Sequence, residues 1–346
     1  MKKTLVLFVS LLLCANLYVN NAFGQGKIPT VTRNFSASSI KGVDVSTSGG
    51  SITVNGHTGS EAVVEVFASP NNLRGNWSDE RIKQTLDENY ILDIKLEGGV
   101  LYALAKPKNN MNWTRAGLSI AFVISVPQQV NSNLRTSGGS IKINNLSGIQ
   151  DFSTSGGSLT LGHLSGKITG KTSGGSITLT DSGDDIDLKT SGGSITARDC
   201  RGNISLKTSG GSLKMDNLDG NIQATTSGGS ITANKIKGSL KTGTSGGSVR
   251  LNGISGNVDA HTSGGSMTVD MESVSEYIKL SNSGNLSLSL PSGKGYNLKA
   301  RASKIETSGL KDFSGSMDNK SIDGTVGRGG PQVELKSSNR ISLKFE

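Results

Sequence analysis

The chain has 346 residues, with 18% charged, 4% aromatic, 47 glycines and a formal net charge of +9. Lys and Arg do not cluster beside aromatic residues and no nucleic-acid motif occurs, so a nucleic-acid partner is excluded. The modest positive surplus reads as a solvated face with weak attraction for anionic glycans or membrane surfaces.

Residues 1–24 read as a secretory signal peptide. Lys2 and Lys3 form the charged start, Leu5 to Leu13 the apolar stretch, and Ala22-Phe23-Gly24 the cleavage region, which makes Gln25 the first mature residue. The apolar stretch is too short for a membrane span. Cys14 is a poor lipidation site because the bulky Leu13 precedes it. No transmembrane segment is expected in the mature chain, which is therefore an exported protein, periplasmic, on the outer surface or secreted. Cys200 is then the sole cysteine, so no intrachain disulfide forms.

Residues 25–135 are irregular. Thr47-Ser48-Gly49-Gly50-Ser51-Ile52 announces a motif that returns later, and 62–68 alternates like a strand. A short helix is predicted over 78–89, with Ser78 as its N-cap and Ile82 and Leu86 on one side. Segments 91–96 and 100–105 flank Glu97-Gly98-Gly99 as a hairpin, and an apolar strand over 118–126 stops at Pro127. This part is expected to form irregular β coils and to cap the regular repeats on its C-terminal side.

Over 136–280 the sequence becomes periodic. Thr-Ser-Gly-Gly-Ser begins at Thr136, Thr154, Thr172, Thr190, Thr208, Thr226, Thr244 and Thr262, eighteen residues apart each time. Counting from the Thr, positions 6, 8, 11, 15 and 17 are apolar or small. In one unit these are Ile177, Leu179, Ser182, Ile186 and Leu188; in the next, position 11 is Cys200. Alternating apolar positions at constant phase predict an all-β fold: a parallel β-solenoid, or β-helix, with 18-residue coils and one inserted helix. Coils spaced by about 4.8 Å would give the eight units a length of about 38 Å. An antiparallel meander with Ser-Gly-Gly as its turn is the alternative, and the sequence leaves handedness open. Residues 281–346 read as degenerate coils and a C-terminal cap, with loose loops over 291–335 and final strands over 332–336 and 340–345.

These features together resemble a bacterial exported β-strand-repeat family of unknown function often labelled "putative adhesin". The resemblance rests on the leader, the Val126-Pro127 strand and the Thr-Ser-Gly-Gly-Ser-Ile and Leu-Ser-Gly units. It covers nearly all of the mature chain. It implies an exported β-solenoid without established enzymology, and offers no functional residues to carry over.

The residues point to no catalytic centre. His57, His163 and His261 fall at different phases of the repeat, and no serine sits in a nucleophile elbow. No cofactor motif is present. Asp181, Asp184, Asp185 and Asp187 are the one carboxylate cluster, a weak candidate for calcium, although the calcium-binding nonapeptide is absent. Trp77 and Trp113 are candidate ligand-binding residues, since loop tryptophans stack on sugars or else pin neighbouring structure.

The first expectation for function is a non-catalytic cell-envelope or surface scaffold that binds a glycan, an envelope component or another protein. An ice-binding solenoid is the second, using Thr rows at positions 1 and 7, although Lys142, Lys214 and Arg250 interrupt position 7. The third is a carbohydrate-active enzyme, which needs carboxylates converging on one groove.

Overall fold

The structure is a computed structural model that describes residues 28–71, 77–108 and 117–346. The described residues form 26 strands, one α-helix and a single 3-10 turn. Between Asn131 and Leu290 every strand pairing is parallel, which excludes the antiparallel meander there.

From Thr136 to the unit that begins at Thr244, each unit pairs with the next at an offset of eighteen residues. Ile177 lies opposite Ile195, Ile195 opposite Leu213, and Leu213 opposite Ile231. Alternation then sorts the side chains. In the strand Gly183–Thr190, Ile186 and Leu188 are buried and Asp185 and Lys189 are exposed. The apolar positions 6, 8, 11, 15 and 17 therefore stack into one continuous core. Position 10 turns the chain in a left-handed conformation in every unit from Asn145 to Gly253. Its occupants are Asn, His, Asp, Asp, Asn, Lys and Gly, a set weighted toward residues that tolerate positive φ.

The Thr-Ser-Gly-Gly-Ser corner is an interlock. The Thr172 hydroxyl donates to the Gly157 carbonyl of the preceding unit at 2.7 Å and accepts from its own Gly175 N–H at 3.2 Å. Thr154, Thr190, Thr208, Thr226, Thr244 and Thr262 repeat both bonds. From Ser140 to Ser230 the last Ser of each corner accepts from the Ser backbone N–H of the next, as Ser176 does from Ser194 at 3.3 Å. The second Gly of each corner lies against the carbonyl below it, so a Cβ at Gly157 would collide with Gly139. That close approach, not turn conformation, demands glycine there.

At both ends spatial order departs from chain order. The strand Gly42–Thr47 lies between Val100–Pro107 and Asn131–Thr136. Ile52–His57 likewise lies between Leu118–Pro127 and Ile141–Asn144. The chain thus places its first unit, moves outward to build a terminal one, and returns to continue the stack. The other end mirrors this. Arg340–Phe345 is flanked by Leu286–Leu290 and Lys304–Ser308, and Gln332–Ser337 by the end of Met267–Asn282 and by Tyr296–Arg301. The last strands of the chain are therefore interior ones.

The loose loops expected over 291–335 are instead largely strands, Tyr296–Arg301, Lys304–Ser308, Phe313–Met317 and Ser321–Val326. Their antiparallel pairings lack the repeat's period, which hid them. All antiparallel pairs lie in the two end regions, where they cover ladder edges that would otherwise be open.

The helix Asp79–Asn89 belongs to the first end region. Ser78 caps it by accepting from the Arg81 N–H at 3.3 Å, and Leu86 is buried beneath it. Tyr90 comes next, and its hydroxyl accepts from the Leu118 N–H at 2.6 Å, which ties the helix exit to the apolar strand.

Two outcomes are expected. Thr208→Val leaves the Gly193 carbonyl and the Gly211 N–H without their partner and costs about 1–3 kcal/mol in urea unfolding, whereas Thr208→Ser keeps most of it. Removal of residues 340–346 unpairs the strands on both sides of Arg340–Phe345. It should lower the thermal midpoint far more than a surface truncation would. A midpoint unchanged by that deletion would contradict the interior placement.

Candidate binding face

Parallel stacking turns each outward position into a row. Position 14 presents Lys167, Asp185, Asn203, Asn221 and Ser239, and position 16 presents Thr169, Asp187, Ser205, Gln223 and Lys241. Between these rows runs a shallow groove of about 380 Å³, with Ile168, Ile186, Ile204 and Ile222 beneath it. The Asn203 amide donates to the Asp185 carboxylate at 2.9 Å, and the Asn221 amide to the Asn203 carbonyl oxygen at 3.3 Å. This amide ladder holds the side chains of position 14 in a common orientation.

Asp187 receives Lys189 at 2.6 Å on Oδ2, while its Oδ1 is buried without a hydrogen-bond partner among the described residues. The groove thus presents the amides and hydroxyls of Asn203, Ser205, Asn221, Gln223 and Ser239 over an apolar floor. Such a surface suits a hydroxyl-rich ligand.

The four-aspartate cluster does not converge. Asp181 and Asp184 lie at a corner beside His163, Cys200 and Arg201, whereas Asp185 and Asp187 face the groove. The Asp184 carboxylate accepts from the Gly166 N–H at 2.8 Å. Asp184 also occupies the position that is glycine in the neighbouring units, at φ 79°. Asp181 lies 3.9 Å from His163 Nδ1. Each carboxylate therefore has its own neighbour, and the described residues contain no group of three or more ligands placed to hold a metal ion.

Trp77 is half-buried against the core, with the Arg81 guanidinium 4.7 Å from its ring centroid. Its ring face is thereby engaged within the first end region. Trp113 lies outside the described residues. The groove residues Asn203, Asn221 and Asp187 are on different elements from those packed around Trp77, and nothing in a single unit singles them out. Their signal was the outward phase of positions 14 and 16 read down the stack.

The Thr row at position 1 is a correction. Those threonines are buried, from 0% exposed at Thr172 to 7% at Thr136, and their hydroxyls are consumed by the corner interlock. They cannot face an ice lattice. At position 7, Thr160, Thr178 and Thr196 stack in register, but Lys142 and Lys214 bound the run.

His57 accepts from the Gly59 N–H at 2.8 Å, and His261 lies over Gly243, so the three histidines occupy separate places. Cys200 is buried at position 11 and its thiol donates to the Arg198 carbonyl at 3.0 Å. Desolvation pushes its pKa up to about 11.

No protein-family model and no curated protein matches the chain. Solved structures similar to it include two bacterial proteins. One, a "putative cell adhesion protein" from Clostridium sporogenes, is 9% identical, with 91% of this chain and 98% of that one covered and a TM-score of 0.20. The other, a "putative adhesin" from Bacteroides fragilis, is 11% identical, with 91% and 96% covered and a TM-score of 0.24. Neither likeness is close enough to carry function across. No helix among the described residues is long and apolar enough to cross a membrane.

The thiol makes a direct check. At pH 9 the raised pKa leaves Cys200 about fiftyfold less thiolate than an ordinary cysteine would have, so iodoacetamide should label it slowly until the protein is unfolded. Rapid labelling of the native protein would contradict the buried placement.

Proposed function

We propose that the chain is an exported, non-catalytic β-solenoid that binds a polymeric glycan along the groove between positions 14 and 16, in the manner of a surface adhesin. The observation that carries this reading is the in-register ladder of Asp185, Asn203 and Asn221 along one wall of the groove. A polymer needs equivalent contacts repeated along a line, and an in-register stack supplies them at roughly the strand spacing of 4.8 Å. Each contact is weak, and affinity accumulates with the number of units engaged.

The motifs that resemble the exported repeat family agree with this reading, and the leader-like first 24 residues support an action outside the cytoplasm. A hydrolytic reading gains nothing from the groove carboxylates. Asp185 is held by the Asn203 amide and Asp187 by Lys189, so neither is poised opposite a free partner across the groove.

The test is a glycan array probed with the purified protein, then titration of any hit. Replacing Asn203 and Asn221 together by Ala should weaken binding about five- to tenfold, the value of one or two neutral hydrogen bonds. Trp77→Ala and Trp113→Ala should leave it within twofold. Loss of binding in either tryptophan variant with the asparagine pair unaffected would overturn the groove, and loss in Trp77→Ala would move the site to the first end region.

A further inference from the structure

A second surface, on the C-terminal end region, is set apart by its charges. Four strands lie side by side there in the order Ser321–Val326, Tyr296–Arg301, Gln332–Ser337 and the end of Met267–Asn282. One outward row across them reads Asp323, Lys299, Glu334, Lys279. Its signs alternate, so every cation has an anion directly opposite, the arrangement that stabilises neighbouring strands.

The next outward row on the same face, two residues along, breaks that rule. It reads Ser321, Arg301, Lys336, Ser281. Arg301 and Lys336 are like charges on directly paired positions, flanked by serines where the first row has acids. Lys320, adjacent to Ser321, brings a third cation to the same place. The three line a shallow pocket of about 550 Å³ together with Ala302, Ser303, Ser337 and Ser338, and no acid lines it. None of the three cations forms an ion pair among the described residues. The neighbouring Asp318 is turned onto the N–H groups of Lys320 and Ser321, at 2.6 and 2.8 Å.

Packing does not require this row, since all three side chains are exposed and the same strands carry compensated charges two residues earlier. A like-charged pair on paired strands is destabilising when empty. It becomes favourable when an anion bridges it. We propose that Arg301, Lys320 and Lys336 form a binding site for a tetrahedral oxyanion, a sulfate or phosphate ester carried on an extracellular polymer. The planar guanidinium of Arg301 supplies two parallel donors to such a group, and the two ammonium groups supply the balancing charge. The pocket lining is small and polar, with no large apolar side chain to enter a bilayer. The site shares no residue with the groove between positions 14 and 16, so either can fail without the other.

The test measures binding of the full protein to sulfated dextran and to a phosphorylated polysaccharide at physiological ionic strength, with inorganic sulfate and phosphate as competitors. Whichever polymer binds identifies the ester, and the matching inorganic ion should displace it. Arg301→Ala and Lys336→Ala should each weaken binding about tenfold or more, as expected for a lost charge-assisted hydrogen bond. Lys83→Ala, an equal charge loss on the distant helix, should change it less than twofold. K336E should abolish binding while the thermal midpoint holds or rises, because it restores sign alternation beside Arg301. Equal weakening by Lys83→Ala and Arg301→Ala would reduce the effect to net charge and overturn the site. So would a K336E midpoint well below that of the unsubstituted protein, or binding to phosphatidylglycerol vesicles with none to either polymer.

Discussion

A hydroxyl that donates to the unit before it and accepts from its own turn is the bond on which the stack depends. It begins with Thr47, whose hydroxyl donates to the Ile120 carbonyl at 2.8 Å, and continues with Thr136 donating to Gly50 at 2.8 Å. It runs through the regular corners and survives where the motif decays. Asn282 replaces the Thr and donates its amide to the Gly265 carbonyl at 3.4 Å, and Ser337 donates to Gly284 at 2.7 Å. The chain of bonds tracks spatial order, not sequence order, through both end regions. An unpaired carbonyl at such a buried corner would cost about as much as several good contacts return. The requirement for a small hydroxyl or amide there is therefore comparable to the requirement for a core residue, about 1–3 kcal/mol for the lost partner.

The same constraint explains where length can vary. The strands Val249–Thr262 and Met267–Asn282 lose their eighteen-residue offset, with Val258 opposite Ile278 and Thr262 opposite Asn282. Two residues have been added in the strand, where bulges between Leu251 and Val258 absorb them with exposed side chains. One has been removed at the corner, because Met267 pairs with Leu286. The sequence shows only the net slip of one. A single-residue insertion within a strand would have turned the core face outward, whereas an even number preserves the parity of inward and outward positions. The ends use a different device. Setting a strand between two that are distant from it in sequence holds it by ladders on both sides, so the last strands of the chain cannot fray without breaking two ladders.

The inward positions are legible in the sequence for the same reason. Alternation within a unit and identity of phase between units reveal them, and Ile177, Leu179, Ile186 and Leu188 are all buried. The helix is legible because Ser78 and the Ile82–Leu86 spacing are local signals. The corner threonines mislead because a β-branched polar residue beside Gly-Gly has the composition of an exposed turn. Only the carbonyl of another unit, fifteen residues back, makes it an interior residue. Position 10 carries a subtler signal, since Asn145, His163, Asp181, Asp199 and Asn217 share a tolerance of positive φ. The groove is hidden for a different reason. Asn203 and Asn221 are unremarkable in their own units and acquire meaning only when set one above the other.

Stacking also changes what a surface charge means. On an ordinary fold a lysine is one of many scattered cations, screened and mobile. In an in-register stack it is held within one strand spacing of whatever occupies the same position next door, so each row either alternates in sign or accumulates repulsion. Lys171, Lys189 and Lys207 form such a row, and its tension is eased because Lys189 turns aside to Asp187. Asp187 is thereby committed on Oδ2, while its Oδ1 is buried. The relief of a charged row and the fixing of Asp187 in the groove wall are then two consequences of one contact, and substitution at Lys189 would disturb both.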